Sequence, residues 1–530
     1  MKRTFIKGWL IAGSLVASAV QASQRPNIIF IFSDDHTRQA IGAYGGPLAK
    51  LNPTPNIDRL FHEGMRFDHF YVENSICAPS RATLLTGKMS HKHGKIDNSG
   101  PFNHRQQTFP KLLQQGGYQT AIFGKTHLDG DIEGFDHWEV LPGQGNYYQP
   151  EFITSSGRIV EQGYVADVIT RKSLDWLKQR DADKPFMLMI HHKGTHRNWC
   201  PALRHLNVFK DADVPLPQSF NDDYCTRTTA AHDQTLSIRD NMKLDNDLKV
   251  LTDTIRRQRQ KKYSKRKNLP SGDSGSYFRM TPEQQKAWDA AYEPENQAFL
   301  ANKPNGEALA EWKYRRYLKD YLRTALSIDE SVGQVLDYLK ANGLDENTVV
   351  MYSSDQGFYL GEHGWFDKRF MYQESFSTPM LARWPSKIRA GTVNTDLCQN
   401  IDFSETFLDL AGAQIPEDMQ GRSLLPLFSG ETPNDWRSSL YYHYYEYPGP
   451  HNVRRHEGIF DKRFKLIRFY GKDVPGGEEW EFYDLKNDPD ELLNMYGNPE
   501  CQERVVLLKQ ELNRLKTSYQ IGVPPPQINQ

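Results

Sequence analysis

The segment "CAPSRATLLTG", Cys77–Gly87, sets a lone cysteine at the mouth of an apolar, helix-like run. Pro79 suits the first turn of a helix, which would run through Arg81 to Thr86 with Gly87 near its end. A helix N-terminus favours an anion, and Arg81 adds a planar, bidentate donor for a tetrahedral oxyanion. Carboxylates stand elsewhere in matching pairs. Asp34 and Asp35 close "NIIFIFS", and Asp355 and Gln356 follow "TVVMYSS". One such pair is often only a helix cap. Three carboxylates and an amide oxygen delivered to one place make a hard, oxygen-rich site suited to Ca²⁺ or Mg²⁺. Lys125, His127, His196 and Lys368 supply positive charge and proton donors around it. The combination describes an anion site beside a cation.

These residues need a scaffold that brings them to one edge. "NIIFIFS", "TAIFG", "FMLMIHH" and "TVVMYSS" are continuous apolar, β-rich runs, as expected for strands buried on both faces. Each runs into polar residues. Helical patterns lie between them, over 108–115, 164–179 and 314–342. This alternation predicts an α/β domain with a mixed, largely parallel sheet between helices, and ligands in such sheets bind beyond the strands' carboxyl ends. Residues 240–305 break the pattern as a polar, helical insert. Its basic run "RRQRQKKYSKRK", 256–267, reads as a solvated helix face, with a polyanion contact as the alternative. After residue 430 four short aromatic runs and an amphipathic helix predict a small antiparallel α+β subdomain over 431–530.

The bulk numbers narrow the function classes. The 530 residues carry 65 Lys plus Arg against 66 Asp plus Glu, a balance that gives no general affinity for nucleic acid or membrane surfaces. Lys2, Arg3 and Lys7, the apolar stretch Trp9–Val20 and the small residues of "AVQAS" read as a signal peptide over 1–22. No later stretch reaches membrane-spanning length. The mature chain, from 23, is thus expected to be exported, in a Gram-negative cell to the periplasm. Five cysteines are an odd number, so at least one lacks a disulfide partner within the chain, and Cys77 is the expected one.

Taken together these motifs resemble the sulfatase family across nearly the whole mature chain. "CAPSR" with "LLTG" matches its C-x-P-S-R signature. "PNIIFIFSDDH" matches its first metal segment, "GKTH" its Lys-x-His element, and "GTHRNW" its second histidine segment. "SSDQGFYLGEHGWFDKR" matches its second metal segment and late lysine. Gln356 departs from the asparagine usual there but keeps an amide oxygen.

The resemblance implies an alkaline-phosphatase-like catalytic domain over 23–430 and the small C-terminal subdomain. It implies that a dedicated maturation enzyme, a partner of the chain, oxidises Cys77 to formylglycine. One hydroxyl of the hydrated aldehyde then attacks sulfur, and the other, deprotonated, collapses the hemiacetal and expels sulfate. It implies Ca²⁺ held by Asp34, Asp35, Cys77, Asp355 and Gln356. Arg81 and Lys125 would neutralise charge, His127 act as base for the collapse, His196 protonate the leaving oxygen, and Lys368 bind sulfate. "HRNW" and "GWFDKRFMYQES" look most like bacterial glycan sulfatases, including those acting on 6-O-sulfated N-acetylglucosamine in heparin or heparan. The expected partner is a sulfated saccharide, with Asp367, Arg369 and His451 as sugar contacts. The alternatives are a sulfatase for another sugar, such as a 2-O-sulfated uronate, a phosphoester or phosphonate hydrolase of the same superfamily, and a catalytically dead glycan-binding protein.

Overall fold

The computed structural model describes residues 25–264 and 276–522. The expected signal peptide lies outside them, as does the end of the basic run. The main sheet contains ten strands: β1 (Asn27–Ser33), β2 (Met65–Phe67), β3 (Gln119–Lys125), β4 (His137–Leu141), β5 (Glu151–Thr154), β6 (Gly157–Val160), β7 (Phe186–His191), β8 (Thr348–Ser354), β9 (Met380–Arg383) and β10 (Thr392–Asn394). Their spatial order is β10-β2-β9-β8-β1-β7-β3-β4-β5-β6. The five central strands, from β8 to β4, pair in parallel. The flanks are mostly antiparallel, with β9 reversed between β8 and β2, and β5 and β6 forming a hairpin beside β4. The parallel core is what the long apolar runs predict. The short edge strands carry too little pattern to be read in advance.

The sheet is apolar on both faces because helices cover both. Phe30, Phe32, Met189 and Met351 face α1 (Cys77–Thr86) and α4 (Asp402–Leu410), packing with Ala78, Ala82, Phe403 and Phe407. Their neighbours Ile29, Ile31, Leu188, Ile190 and Val350 point to the opposite face. There they meet Val165, Val168 and Ile169 of α2 (Val165–Gln179) and Ile328, Val332 and Val335 of α3 (Gly306–Ala341). α3 starts eight residues before Tyr314, because "GEALAEWK" continues the helical pattern upstream. Strand register then levels the ends. Ser33 sits beside Ser354, and Gly124 beside His191. Every residue that follows these strands therefore emerges at one edge of the sheet.

The C-terminal strands β11 (Leu440–Tyr444), β12 (His456–Phe460), β13 (Phe464–Tyr470) and β14 (Glu478–Asp484) form an antiparallel meander. α5 (Gln502–Ser518) lays Val505, Leu508, Leu512 and Leu515, one stripe at helical spacing, on Tyr441, Ile459, Leu466 and Phe482.

Within 240–305 the described residues form turns over 240–252 and helices over Asp253–Ser264, Ser276–Arg279 and Pro282–Ala301. The last helix starts with a capping box between Thr281 and Gln284 and buries Trp288, Tyr292 and Phe299. Arg256 donates to Asp289, at 2.8 Å, and Arg259 to Asp245, at 2.6 Å. Part of the basic run is therefore neutralised inside the molecule. Among the described residues no helix is long and apolar enough to cross a membrane.

Candidate active site

Cys77 is the first residue of α1 and is fully buried. Gly87 ends the helix in the left-handed region at φ 63°, as glycine allows. Asn98 Oδ1 accepts the Ala78 N–H at 3.0 Å, so one of the free N–H groups of the helix mouth is already satisfied by the protein. None of the five cysteines forms a disulfide with another described residue.

Around Cys77 the strand ends deliver their charges. Lys368 Nζ lies 3.4 Å from Cys77 Sγ and 2.5 Å from Asp35 Oδ1. Gln356 Nε2 donates to Asp35 Oδ1 and stands 3.9 Å from the sulfur. Arg81 donates from Nε to Asp355 Oδ2 at 3.0 Å and from a terminal nitrogen to the Lys125 carbonyl at 2.7 Å. Lys125 is ion-paired with Asp34. The Gly preceding it, Gly124, has φ 105°, and a Cβ there would fall 1.9 Å from the His191 carbonyl oxygen. Only glycine lets β3 and β7 close up at this edge.

Asp35 adopts φ 64°, an unfavourable region for a side-chain-bearing residue. Its carbonyl is fixed by the Tyr321 hydroxyl at 2.6 Å and by Thr195 Oγ1 at 2.9 Å, and its N–H by Asp355 Oδ1 at 3.0 Å. Three elements thus over-determine a strained turn, which directs the Asp34 and Asp35 carboxylates into one space.

Asp34, Cys77 and Asp355 each offer a ligand atom within 4.8 Å of the others. Asp35 joins them through Lys368 and Gln356. Asp34 Oδ1, Asp35 Oδ2 and Gln356 Oε1 are buried and accept no hydrogen bond among the described residues. Unsatisfied buried oxygens are costly. Burial pushes the Asp355 carboxyl up to about 7, with Asp34 adding to the effect and Arg81 opposing it. Burial acts on Asp34 too, but Lys125, His196 and Arg81 outweigh it and hold that carboxyl well below the usual range. A cluster of oxygens this crowded fits a hard divalent cation.

The cysteine itself is not a thiolate. Burial pushes its thiol far up, and Lys368 and Lys125 do not compensate. A thiol nucleophile needs the opposite. Burial would lower Lys368, yet the charges of Asp35, Asp367 and Asp34 raise it well above the ordinary lysine value, so it stays an ammonium.

His127 lies beyond β3 at φ 52°. His196 follows β7, its Nδ1 2.7 Å from the Arg197 carbonyl oxygen. Buried Asp367 and Arg369 and half-buried His451 form an adjoining group. Asp367 accepts from the Lys368 N–H at 2.9 Å and is ion-paired with Arg369, its Oδ1 3.2 Å from Arg369 Nε, and His451 Nε2 stands 3.5 Å from its other oxygen. All three have positive φ, at 77°, 103° and 63°. The structure thus gathers every residue singled out in the sequence into one continuous region. It adds residues that motif reading missed. Gln144 touches both Lys125 and His127. Tyr444 and Glu446, from the C-terminal subdomain, hold Arg369, at 3.2 and 2.5 Å. These act across loops, and no spacing in the sequence announces them.

A buried arginine, two lysines and a carboxylate-rich cation site at the sheet edge define a hydrolase of tetrahedral oxyanion esters. A family model described as "Sulfatase" matches residues 26–413, and one described as "N-sulphoglucosamine sulphohydrolase, C-terminal" matches 361–518. The chain belongs to the sulfatase family and is a sulfuric ester hydrolase. It is 47% identical over 511 residues to an N-acetylglucosamine-6-O-sulfatase of Bacteroides thetaiotaomicron, covering 95% of this chain and 88% of that one. A protein solved with its substrate D-glucosamine-2-N,6-O-disulfate superimposes with TM-score 0.88 at 46% identity, covering 95% of this chain and all of the other. A phosphonate monoester hydrolase from Silicibacter pomeroyi shares the fold, with TM-score 0.69 at 18% identity over 93% of this chain and 95% of that one.

Proposed function

We propose that this sulfatase removes the 6-O-sulfate of N-acetylglucosamine-type residues in heparin or heparan fragments, acting from the chain end, and that it works as an exported, periplasmic enzyme. The observation that carries the substrate is the likeness to the 6-O-sulfatase and to the protein solved with a glucosamine disulfate, both near 47% identity over almost the whole chain. The Asp367–Arg369–His451 group beside Lys368 gives that likeness a physical basis. A carboxylate accepts from adjacent hydroxyls and an arginine donates in a fixed fork, so a mismatched epimer leaves buried partners unpaired.

Cys77 converted to formylglycine would supply a nucleophilic hydroxyl on a carbon that can later expel sulfate by re-forming its carbonyl. The unreactive state of the buried thiol supports that conversion. Ca²⁺, held by Asp34, Asp35, Asp355 and Gln356 beside residue 77, would supply positive charge against the sulfate. Arg81, fixed by Asp355 and the Lys125 carbonyl, presents its guanidinium to the anion in a set orientation. Lys125 and Lys368 flank it. Because Lys368 stays protonated, the proton for the leaving oxygen is assigned to His196. A sulfate monoester carries one negative charge, which one divalent ion and these cations can balance.

The test is a set of defined sulfated disaccharides with free sulfate as the readout. Release from terminal 6-O-sulfated N-acetylglucosamine, and little from 2-O-sulfated uronate, is expected. The reverse pattern overturns the substrate while leaving the sulfatase standing.

A further inference from the structure

The polar insert enters the fold beside the site. Thr235, just ahead of it, exchanges two hydrogen bonds with His451. Its N–H donates to the His451 carbonyl at 2.8 Å, and its own carbonyl accepts from His451 Nδ1 at 2.7 Å. The Leu236 carbonyl accepts the Phe366 N–H at 3.0 Å. Within the insert, Asp247 is wholly buried. It takes Arg197 in a fork, Oδ1 accepting from Nε at 2.8 Å and Oδ2 from a terminal nitrogen at 2.7 Å. Its Oδ1 also accepts from Asn198 Nδ2 at 3.0 Å. Lys249 donates to the carbonyl of the next residue, Trp199, at 3.0 Å. The segment that follows His196 is thus held from the insert at each successive residue. The same Arg197 meets the sugar-facing group. Its guanidinium carbon lies 5.0 Å from the centre of the Phe366 ring, and the His451 ring stands at 90° to that ring, 5.5 Å away. Phe366 directly precedes Asp367.

We infer that Asp247 is a positioning residue of the insert: by pinning Arg197 against Phe366, it holds His196 in register with Asp367, Arg369 and His451. This rests on the proposed roles of His196 as acid for the leaving oxygen and of the other three as sugar contacts. A carboxylate that takes a guanidinium by two parallel hydrogen bonds fixes its plane as well as its distance. Releasing Arg197 would leave the Asp247 carboxylate buried without its cation, which is strongly unfavourable. The clamp therefore stays closed in the native state. A general acid must come within about 2.6–3.2 Å of the oxygen it serves. A shift of about 1 Å in the segment carrying it can lower the rate roughly 100-fold. The sugar contacts fix where that oxygen lies, so the acid and the contacts have to be set against each other. Asp247 joins the two through one side chain, and Thr235 and Leu236 brace His451 and Phe366 from the same stretch of chain. The insert is on this account a frame for the pocket, beyond a solvated excursion.

The test uses full-length mature protein, with rates expressed per molecule converted at residue 77 as measured by mass. Its substrates are aryl sulfates whose phenols differ in acidity. None makes the sugar contacts, so an error in the proposed sugar leaves this test intact. A weakly acidic phenol needs a proton to depart, whereas a strongly acidic one leaves as the anion. His196→Gln should therefore make kcat/KM depend more steeply on phenol acidity. Asp247→Asn should steepen the series in the same direction but less, and should lower kcat on the sulfated sugar by roughly 10- to 100-fold. Arg197→Lys keeps the charge and loses the fork, and should match it. The double variant should lose about as much as either single one, because both open one clamp. A loss uniform across the series in Asp247→Asn, beside a steepened His196→Gln, overturns the inference, as do losses that multiply in the double variant. An unsteepened His196→Gln series removes the acid role and this inference with it. Should Asp247→Asn fail to fold, Arg197→Lys, at a part-exposed side chain, is read by the same slope.

Discussion

Lys368 Nζ bridges Cys77 Sγ, at 3.4 Å, and Asp35 Oδ1, at 2.5 Å. One cation thus touches both the residue proposed to be modified and a carboxylate of the proposed metal site, with Asp367 as its neighbour in sequence. Sulfate held against Lys368 would lie between the chemistry and the groups assigned to the sugar.

The modification is checked first. Mass spectrometry of active protein should find the tryptic peptide containing residues 67–81 lighter than its cysteine form, by the exchange of sulfur for oxygen that accompanies thiol-to-aldehyde conversion. Cys77→Ala should abolish turnover with the melting temperature near that of the parent. An active preparation whose Cys77 is fully alkylatable would falsify the mechanism.

Metal removal should lower both activity and melting temperature, because an ion bound only by the native state stabilises it. Asp355→Asn should do the same by removing a charged oxygen from the cluster. Gln356→Asn retains an amide oxygen and should be tolerated better than Gln356→Leu. Chelation that changes neither quantity, confirmed by elemental analysis to have removed the ion, rules out the calcium site.

Asp367→Ala and Arg369→Ala should cut activity on the sulfated amino sugar by orders of magnitude and change turnover of a small aryl sulfate little, since that substrate never makes those contacts. Glu446→Ala should show the same split more weakly, because it bears on the sugar by holding Arg369. Equal losses on both substrates would place all three in the sulfate site or the fold.

Glu73, behind the Cys77 helix, gives a pH test away from the cation site. Burial pushes its carboxyl up to about 7, against hydrogen bonds from Ser90 and Thr83. The folded state thus favours the protonated form more than the unfolded chain does. Stability from this group is present in full below the unfolded value of 4.5 and is lost as pH rises to about 7. The loss amounts to roughly 3 kcal/mol. Glu73→Gln should flatten the fall in melting temperature across that window. A variant whose curve parallels the parent's there shows that Glu73 does not titrate as described.

The central strands were readable because a sheet covered on both faces demands uninterrupted apolar runs, and β1, β7 and β8 have them. The residues that follow these runs were readable for the same reason: parallel strands of matched register must end together. The edge strands β2, β9 and β10 span only three or four residues and leave almost no periodicity. The start of α3 was obscured by the polar insert before it. Gln144, Tyr444 and Glu446 could not be found from spacing. Gln144 reaches the site only through the pairing of two strands, and the other two through the docking of a separate sheet. A carboxylate or amide in a loop carries no mark of what it will touch.

The hold of Tyr444 and Glu446 on Arg369 divides the labour between two parts of the chain. The groups proposed to bind sulfate gather at the edge of the large sheet, whereas the loop proposed to read the sugar is braced from the small one. Drift in the β11–β12 connection can then alter which glycan is accepted while the ester-cleaving apparatus is inherited intact. Duplicated genes of this architecture would diversify in diet before they diversify in chemistry, and a lineage would acquire new sulfated foods by editing a few residues around 444–451.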